Sequence, residues 1–246
     1  MMKLFSRLFH KRKETHPFCS AIVAAAGSSR RMGEVNKLMA PLLDGVPVLA
    51  WTLRALDEAE LVDEIVVAVR EEDLLPTGDL CKIYGISKPV KIVRGGATRL
   101  ESVRAASLEC REDAAFLAVH DGARPLATPE LIDRTIALAH RTNAAVPAVP
   151  VKDTVKLVRD GVVESTPPRE ALRAIQTPQV FDASLLRAAL QAAEDSGEPV
   201  TDDCSAVERL GKEVYLAEGS YENIKITTPE DLLLATELLR QREAEA

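Results

Sequence analysis

A stretch of small residues near the start of the sequence is the first feature able to do chemistry. Ala24-Ala25-Ala26-Gly27-Ser28-Ser29 follows a short apolar run, and two cations, Arg31 and Lys37, come soon after it. Small side chains let a ligand approach the main chain, and successive N–H groups can bind phosphate oxygens. The spacing matches neither an ATPase P-loop nor a dinucleotide fingerprint, so an ordinary strand-to-helix turn stays the alternative. With both cations beside it, the stretch predicts a phosphate-binding loop.

Two more sets of residues follow apolar runs in the same way. Gly95 and Gly96 carry no side chain that would keep a ligand from their main chain, and Ser102 adds a hydroxyl near a helix start. A plain Gly-Gly turn is the alternative for this pair. Asp121 and Arg124 come after another apolar run, and open α/β sheets bind ligands at the carboxyl ends of their strands. These residues are therefore candidates for one binding site.

The elements that would position these residues are short β-prone runs that alternate with amphipathic segments of helix length. This alternation predicts an α/β fold with a Rossmann-like, mostly parallel sheet flanked by helices on both faces. Thr128-Pro129-Glu130 and Thr228-Pro229-Glu230 each combine the N-cap oxygen, the proline and the acid typical of a helix start. The predicted strands are 19–26, 64–70, 90–94, 115–120 and 144–149, and the predicted helices before the last one are 48–59, 72–84, 99–112 and 129–141.

One segment departs from the alternation. Residues 155–159 and 162–165 flank Asp160-Gly161, a pair typical of a two-residue hairpin turn. An isolated hairpin is marginal in water, so we expect it to pack either on its own domain or on a second subunit. The predicted organisation is a basic N-terminal extension at 1–17 and a single domain at 18–246, which includes a protruding β-arm at 151–174.

Composition excludes several classes of protein. The chain has 246 residues, 46% of them hydrophobic, which is enough for one sizeable core and excludes disorder as its dominant state. The formal net charge of −7 has the wrong sign for broad neutralisation of a nucleic acid. Aromatic residues make up 4% of the chain, too few for a platform on which bases stack. We therefore expect no nucleic-acid partner.

The cysteines and the N-terminal residues bear on location. Cys19, Cys81, Cys110 and Cys204 form no C-x-x-C pair, so they predict reduced thiols in a cytoplasmic protein rather than a zinc site or disulfide framework. No apolar run reaches about 18 residues, so no membrane insertion is expected. Residues 1–15 are too charged for a secretory signal. They predict a frayed basic extension or a weak contact with a membrane surface or partner.

Several strings carry a resemblance to known enzymes. Ala25-Ala26-Gly27, then Arg31-Met32-Gly33 and Lys37, resemble the signature of nucleotidyltransferases that join a sugar or polyol phosphate to a nucleoside triphosphate. Later strings, taken in order with the first, resemble the 2-C-methyl-D-erythritol 4-phosphate cytidylyltransferase family of the non-mevalonate isoprenoid pathway. They are Arg94-Gly95-Gly96-Ala97-Thr98-Arg99, Val119-His120-Asp121-Gly122-Ala123-Arg124-Pro125, Asp153-Thr154, Gln176-Thr177-Pro178-Gln179-Val180-Phe181, Thr201-Asp202-Asp203 and Asn223-Ile224-Lys225-Ile226-Thr227.

The resemblance implies a reaction and a set of residue roles. A phosphate oxygen of the polyol phosphate would attack the α-phosphorus of CTP and release pyrophosphate, with Mg²⁺ bound mainly through the CTP phosphates and with no protein ligand assigned to it. The implied catalytic residues are Arg31, Lys37, Arg169 and Lys225. The implied CTP-binding residues are Ala25, Ala26, Gly27, Gly95, Gly96, Ser102 and Gly122, and those for the polyol phosphate are Asp121, Arg124, Thr154, Arg169 and Lys225.

Some positions stay open or depart from the family. Asn36-Lys37-Leu38 stands where Pro-Lys-Gln is commoner, which leaves the lysine in place in a less rigid loop. Arg99 is expected either to contact phosphate or to support its helix start. His120 is expected in the core or behind the site. Lys225 is expected to end a strand, facing away from the surface that Ile224 and Ile226 bury.

Two other functions compete with this one. A cytidylyltransferase acting on ribitol 5-phosphate shares much of the pattern, and a nucleotide-binding module without turnover is the alternative of another class. Arg31, Lys37, Arg169 and Lys225 together disfavour the module, since it has no need of so many cations. The resemblance also implies that the arm reaches the active site of a second subunit, so we expect a homodimer.

Overall fold

The computed structural model of the chain describes residues 16–27 and 36–245. Its strands are β1 (Cys19–Ala24), β2 (Glu64–Val69), β3 (Val90–Arg94), β4 (Phe116–Asp121), β5 (Ala144–Pro150), β6 (Leu157–Arg159), β7 (Val162–Ser165), β8 (Arg173–Ile175), β9 (Gln179–Asp182) and β10 (Tyr215–Glu218). Its helices are α1 (Val48–Glu58), α2 (Leu74–Ile83), α3 (Arg99–Glu109), α4 (Pro129–Thr142), α5 (Ala183–Ser196), α6 (Asp203–Arg209) and α7 (Pro229–Glu245).

Eight strands form one mixed, mostly parallel sheet. The strand order is β10-β5-β9-β4-β1-β2-β3, and β8 pairs with β5 outside this order. The central strands β1, β2 and β4 are apolar on both faces because both faces are covered. The predicted α/β architecture with a mostly parallel sheet is confirmed.

Helices cover the sheet on both faces and enclose two apolar clusters. Along β1, the side chains of Ala21 and Val23 enter one cluster while Ile22 enters the other, as the two-residue period of a strand requires. The first cluster receives residues from α1, α2, α4 and α7, and the second from α3, α5 and α6. Among the described residues, no helix is long and apolar enough to cross a membrane.

The helix starts predicted at Thr128 and Thr228 are borne out, since α4 begins at Pro129 and α7 at Pro229, and α3 also begins with a threonine cap. The Thr98 hydroxyl accepts a hydrogen bond from the Glu101 N–H at the start of α3, and Thr128 does the same for Leu131 at the start of α4. Each bond satisfies an N–H that has no partner within its own helix. The first of these helices begins beside Gly95 and Gly96, and the second follows the loop that carries Asp121 and Arg124.

Two parts of the chain differ from the expected pattern. The strand β9 lies antiparallel between β4 and β5 and is absent from the predicted strands, which were expected in a mostly parallel sheet. It is buried at Gln179, Val180 and Phe181, so its place is set by tertiary packing. The strand expected to end at Lys225 is wrong, because the described chain between β10 and α7 is irregular. The expected burial is met in part, since Ile226 is buried and Ile224 packs half-buried against the first cluster, while Lys225 is half-buried as well.

The expected hairpin is present. The strands β6 and β7 form a separate two-stranded antiparallel sheet, and the turn between them holds Asp160 at φ 50° and Gly161 at φ 79°. Positive φ at both turn residues matches the twist of the strands, and an aspartate followed by a glycine tolerates it. All seven strand residues are exposed in this chain, including the apolar Leu157 and Val162. The hairpin therefore has no core of its own.

Candidate active site

The glycine-rich stretch, the Gly95-Gly96 turn and Asp121 meet at one edge of the sheet. They follow β1, β3 and β4, respectively. These strands run parallel in the sheet, because β1 pairs with β4 and β2, and β2 pairs with β3. Three main-chain hydrogen bonds hold them there: Ala25 N–H to the Ala68 carbonyl (2.8 Å), Gly95 N–H to the Val69 carbonyl (2.7 Å) and Gly122 N–H to the Ala24 carbonyl (3.1 Å). The prediction that these three sets of residues lie together at the carboxyl ends of the strands is therefore confirmed.

The first loop is described only in part. Ala25 is buried, Ala26 is half-buried and Gly27 is exposed at the edge of the sheet. Residues 28–35, and with them Arg31, lie outside the described part of the chain, as do residues 1–15 of the basic extension. Among the described residues, no atom lies within 4 Å of the position that a Cβ on Gly27 would take.

Glycine is required at the turn after β3. A Cβ on Gly95 would lie 2.5 Å from the Ala26 Cβ and 2.9 Å from the Ser102 Oγ. The Ser102 hydroxyl, in turn, accepts a hydrogen bond from the Gly96 N–H (3.1 Å) and donates to the Thr98 carbonyl (2.7 Å). Ser102 is buried and holds the turn together from within, so the turn brings its main chain close to the first loop.

Asp121 is surrounded by three cations. Its Oδ2 lies 2.9 Å from the Lys225 Nζ and 3.3 Å from the Arg124 Nε, and its Oδ1 lies 3.8 Å from the Arg99 Nε. Burial alone would raise the pKa of this carboxyl, but Lys225, Arg99 and Arg124 outweigh burial and hold the pKa below its ordinary value. Asp121 is therefore an anion at neutral pH, within a site whose charge is positive overall.

Arg124 is fixed by the segment that precedes α7. Its Nη1 donates to the Asn223 carbonyl at 2.6 Å, and the Asn223 Nδ2 donates to the Thr177 carbonyl at 3.1 Å. Burial lowers the pKa of Arg124, an effect that the neighbouring Asp121 opposes. No role was predicted for Asn223 from the sequence. Its only signal was its place two residues before Lys225.

A buried pair of side chains supports Asp121 from behind. The Asp121 N–H donates to the Thr177 Oγ1 at 3.1 Å, and the Thr177 Oγ1 shares a hydrogen bond of 3.0 Å with the His120 Nδ1. His120 is completely buried, and burial lowers its pKa from 6.5 to about 4. A neutral imidazole is therefore kept at this place at physiological pH, in agreement with the expected position of His120 behind the site.

Lys37 lies at the other end of the first loop. Its Nζ donates to the Ile226 carbonyl at 3.0 Å, which links this loop to the segment that carries Lys225. The preceding Asn36 accepts a hydrogen bond from the Leu38 N–H and donates one to Asp73. Asn36 thus gives the Lys37 turn a side-chain anchor that the commoner proline could not supply.

The arm residues are not brought to the Asp121 cluster by their own chain. Thr154 and Arg169 are both exposed, and the Arg169 Nη1 donates to the Lys152 carbonyl at 3.0 Å within the arm. In the described part of the chain, no hydrogen bond or ion pair joins either residue to Asp121, Arg124 or Lys225. Within one chain, these two predicted site residues stand apart from the rest.

Comparison with known proteins gives one consistent result. Residues 19–241 match the model of the 2-C-methyl-D-erythritol 4-phosphate cytidylyltransferase (IspD) family. The chain is 44% identical over 218 residues to the 2-C-methyl-D-erythritol 4-phosphate cytidylyltransferase of Bacillus cytotoxicus, covering 89% of this chain and 96% of that protein. The enzyme of the same name from Synechococcus is 43% identical over 228 residues, covering 90% and 97% of the two chains.

Solved structures agree with the sequence relatives. The crystal structure of 4-diphosphocytidyl-2C-methyl-D-erythritol synthase from Anaerococcus prevotii is similar with a TM-score of 0.81 and 34% identity, covering 91% of this chain and 96% of that one. The 2-C-methyl-D-erythritol 4-phosphate cytidylyltransferase of Thermus thermophilus is similar with a TM-score of 0.75 and 33% identity, covering 92% and 100%.

Proposed function

The chain belongs to the 2-C-methyl-D-erythritol 4-phosphate cytidylyltransferase family, and from this membership we propose how its own residues carry out the reaction. It is a nucleotidyltransferase of isoprenoid biosynthesis that transfers the cytidylyl group of CTP to 2-C-methyl-D-erythritol 4-phosphate. The products are 4-diphosphocytidyl-2-C-methyl-D-erythritol and pyrophosphate. Ribitol 5-phosphate as substrate and a module without turnover are not favoured, because the matched relatives are named for the methylerythritol enzyme.

The transfer reaction requires cations that stabilise negative charge, and it does not require a side-chain base to activate the nucleophile. A phosphate monoester has a second pKa near ~6, so its attacking oxygen is already an anion at neutral pH. This oxygen forms a bond to the α-phosphorus of CTP while the bond from that phosphorus to the bridging oxygen of pyrophosphate breaks. The enzyme must align two polyanions and stabilise charge at the phosphorus. The single observation that best supports this assignment is the Asp121 cluster, where three cations face one carboxylate.

The first loop and the Gly95-Gly96 turn form the proposed CTP side. We assign the phosphates to the main chain of Ala25, Ala26 and Gly27, with Arg31 and Lys37 stabilising charge at the α-phosphorus. The close approach of the turn to Ala26 supports a narrow place for the base beside Gly95 and Gly96, shaped by Ser102. Gly122 completes this side, since a Cβ there would lie 3.3 Å from both the Ala24 carbonyl oxygen and the Ala25 Cβ.

The Asp121 cluster forms the proposed polyol phosphate side. Lys225 and Arg124 would bind the phosphate of the polyol, and the carboxylate of Asp121 would accept hydrogen bonds from its hydroxyl groups. Thr154 and Arg169 would complete this side from the arm of a second subunit, because their own chain holds them apart from Asp121. The exposed apolar side chains of the hairpin, such as Val162, support a homodimer in which the arm is covered.

Magnesium is proposed to enter with the nucleotide. Within the described ranges, no group of three or more histidine, cysteine, aspartate or glutamate side chains could hold a metal ion. Asp121 already faces three cations, which disfavours a divalent ion on its carboxylate. The oxygens of the triphosphate are hard ligands of the kind that Mg²⁺ prefers. Bound there, the ion would neutralise charge on the phosphates, and the protein would contribute its cations from the other side.

A cytoplasmic location is also part of the proposal. The four cysteines are all buried and none forms a disulfide. Burial raises the pKa of Cys110 to about 12, so this thiol stays protonated and unreactive at neutral pH. Reduced, buried thiols are what a protein of a reducing compartment carries.

The function is tested by incubating the purified protein with CTP and Mg²⁺ and measuring release of pyrophosphate. We expect release with 2-C-methyl-D-erythritol 4-phosphate and little with ribitol 5-phosphate or without a polyol phosphate. Turnover with ribitol 5-phosphate alone would assign the enzyme to the other substrate. Binding of CTP without any release would support the module without turnover.

A further inference from the structure

Arg99 joins two buried carboxylates that the chain brings from distant positions. Its Nη2 donates to the Asp203 Oδ2 at 2.7 Å, and its Nε lies 3.8 Å from the Asp121 Oδ1. Asp203 begins α6, whereas Arg99 begins α3 and Asp121 ends β4. The arginine therefore lies between the site and a carboxylate behind it.

Asp203 gives Arg99 a fixed place. Only 2% of the Asp203 side chain is exposed, and burial raises the pKa of its carboxyl while Arg99 opposes that effect. A buried carboxylate without its cation is strongly unfavourable, so the pair holds together. The Gln179 Oε1 accepts hydrogen bonds from the N–H groups of Asp203 and Cys204, which fixes the start of α6 on the sheet. The Arg99 guanidinium is thereby anchored at one end.

The two oxygens of Asp121 are held in different ways. Oδ2 is in direct contact with Lys225 and Arg124, at 2.9 Å and 3.3 Å. The Arg99 Nε at 3.8 Å from Oδ1 is within ion-pair range but too far for a hydrogen bond. Arg99 thus attracts Oδ1 and restrains rotation of the carboxylate, yet it leaves the hydrogen-bonding capacity of that oxygen unused. Such an oxygen suits a hydroxyl group of a ligand.

We propose that Arg99 is a positioning residue for the polyol phosphate: anchored by Asp203, it orients the Asp121 carboxylate so that Oδ1 accepts a hydrogen bond from a hydroxyl of the polyol. This inference rests on the proposed function and gives Arg99 a role different from the two that the sequence left open, contact with phosphate and support of its helix start. The anchored arginine acts through Asp121, and CTP binds without it.

The double variant Arg99→Gln/Asp203→Asn separates this role from a structural one. Arg99→Gln alone leaves Asp203 buried without its cation, and we expect the Tm to fall by about 10 °C. The double variant removes both charges and keeps an amide pair of similar shape, so its Tm should recover to within about 3 °C of the parent. Its KM for methylerythritol phosphate should nevertheless stay raised about tenfold, with the KM for CTP changed less than about twofold.

Two further variants complete the test. Arg104→Gln is the matched control, because Arg104 lies on the same helix, is 32% exposed against 30% for Arg99, and pairs with Glu194 away from the site. It should keep both KM values. Arg99→Lys keeps a charge for Asp203 but shortens the reach to Asp121, so it tests the proposal even where the double variant does not fold. It should remain folded and raise the KM for the polyol phosphate.

The outcomes separate the two proposals. Pyrophosphate release by the parent enzyme must be seen first, and its absence would refute the proposed function itself. If the parent is active, a KM for the polyol phosphate equal to that of the parent, in the folded double variant or in Arg99→Lys, would overturn the positioning role. The pair of Arg99 and Asp203 would then be structural only. An equal rise in both KM values would also overturn it, since Arg99 would then act on the nucleotide.

Discussion

The Lys37 ammonium donates a hydrogen bond of 3.0 Å to the carbonyl oxygen of Ile226, the residue that follows Lys225. The two lysines of the proposed site, 188 positions apart in number, are therefore attached to one short segment of main chain. The same segment is bound to the loop after β4, because the Ile226 N–H donates to the Ala123 carbonyl at 2.8 Å. The proposed CTP side and the proposed polyol phosphate side thus share a backbone support.

Replacing Lys37 should remove catalysis while leaving the fold intact. We expect Lys37→Ala to lower kcat by about 10²- to 10³-fold, because a cation at the transferring phosphorus acts mainly on the transition state. Binding of CTP, measured by calorimetry, should weaken far less. Lys82→Ala is the control, since Lys82 is an exposed lysine of α2 that pairs only weakly with Asp79 at 3.5 Å. Loss of CTP affinity with kcat unchanged would place Lys37 in ground-state binding instead.

Adding a methyl group at Gly95 should block the nucleotide side. The new Cβ would meet Ala26 and Ser102 at less than contact distance, so the turn must move away from the first loop. We expect Gly95→Ala to raise the KM for CTP by at least about tenfold, as a misplaced binding group does. Gly78→Ala is the matched control, because a Cβ on Gly78 of α2 would lie 3.6 Å from the Ile92 Cδ1 of β3, which is an ordinary contact distance. Unchanged CTP kinetics in Gly95→Ala would contradict the assignment.

The arm should complete a site on the second subunit. We expect Arg169→Ala to remove most turnover without loss of CTP binding. Arg169 is exposed, and the hydrogen bond of its side chain is to Lys152 in the arm rather than to the nucleotide side. Mixing it in equal amounts with Lys37→Ala should restore about one quarter of the parent activity, because half of randomly formed dimers are mixed and each has one intact site. No recovery in a sample shown to contain mixed dimers would count against a shared site.

Acid should destabilise the protein through His120. Because burial lowers the pKa of His120 to about 4, the unfolded chain binds a proton below pH 6.5 that the folded protein does not accept until pH about 4. The free energy of unfolding therefore falls as the pH decreases through this window, by about 3 kcal/mol for this group. His120→Gln keeps an acceptor for the Thr177 hydroxyl and should lose this dependence. The measurement is the free energy of unfolding, obtained from urea titrations at pH 7 and pH 4.5. An equal loss between the two pH values in the parent and in His120→Gln would show that His120 plays no part.

Much of the architecture was accessible from the sequence because its signals are local. The period of apolar residues predicted β1 to β5 and α1 to α4 within a few residues, and Thr228-Pro229-Glu230 predicted the start of α7. The hairpin was equally accessible, since Asp160-Gly161 tolerates the positive φ that its turn needs. Strand β9 was missed, because an antiparallel strand between two parallel ones depends on packing against β4 and β5 rather than on its four residues.

The site was predicted less evenly than the fold. The residues at strand ends, Gly95, Asp121 and Arg124, lie where the rule for α/β sheets places them. Asp203 and Asn223 were given no role, because their contribution is a contact with an arginine more than 90 residues away in sequence. The place of Arg169 could not be predicted for a different reason. The surface that it is proposed to face belongs to a second subunit, and a single chain does not include that surface.

The segment from Asn223 to Ile226 also makes the proposed site depend on main chain that is synthesised about 100 residues after Asp121. Asp121 emerges from the ribosome about 100 residues before Lys225, and Arg124 before the Asn223 carbonyl that fixes it. A nascent chain that has completed β4 but not this segment holds Asp121 and Arg124 without Lys225, and it holds Lys37 without its carbonyl acceptor. A chain without this segment therefore keeps the proposed CTP-binding turns but lacks Lys225 and the carbonyl acceptors of Arg124 and Lys37, so we expect it to show no turnover.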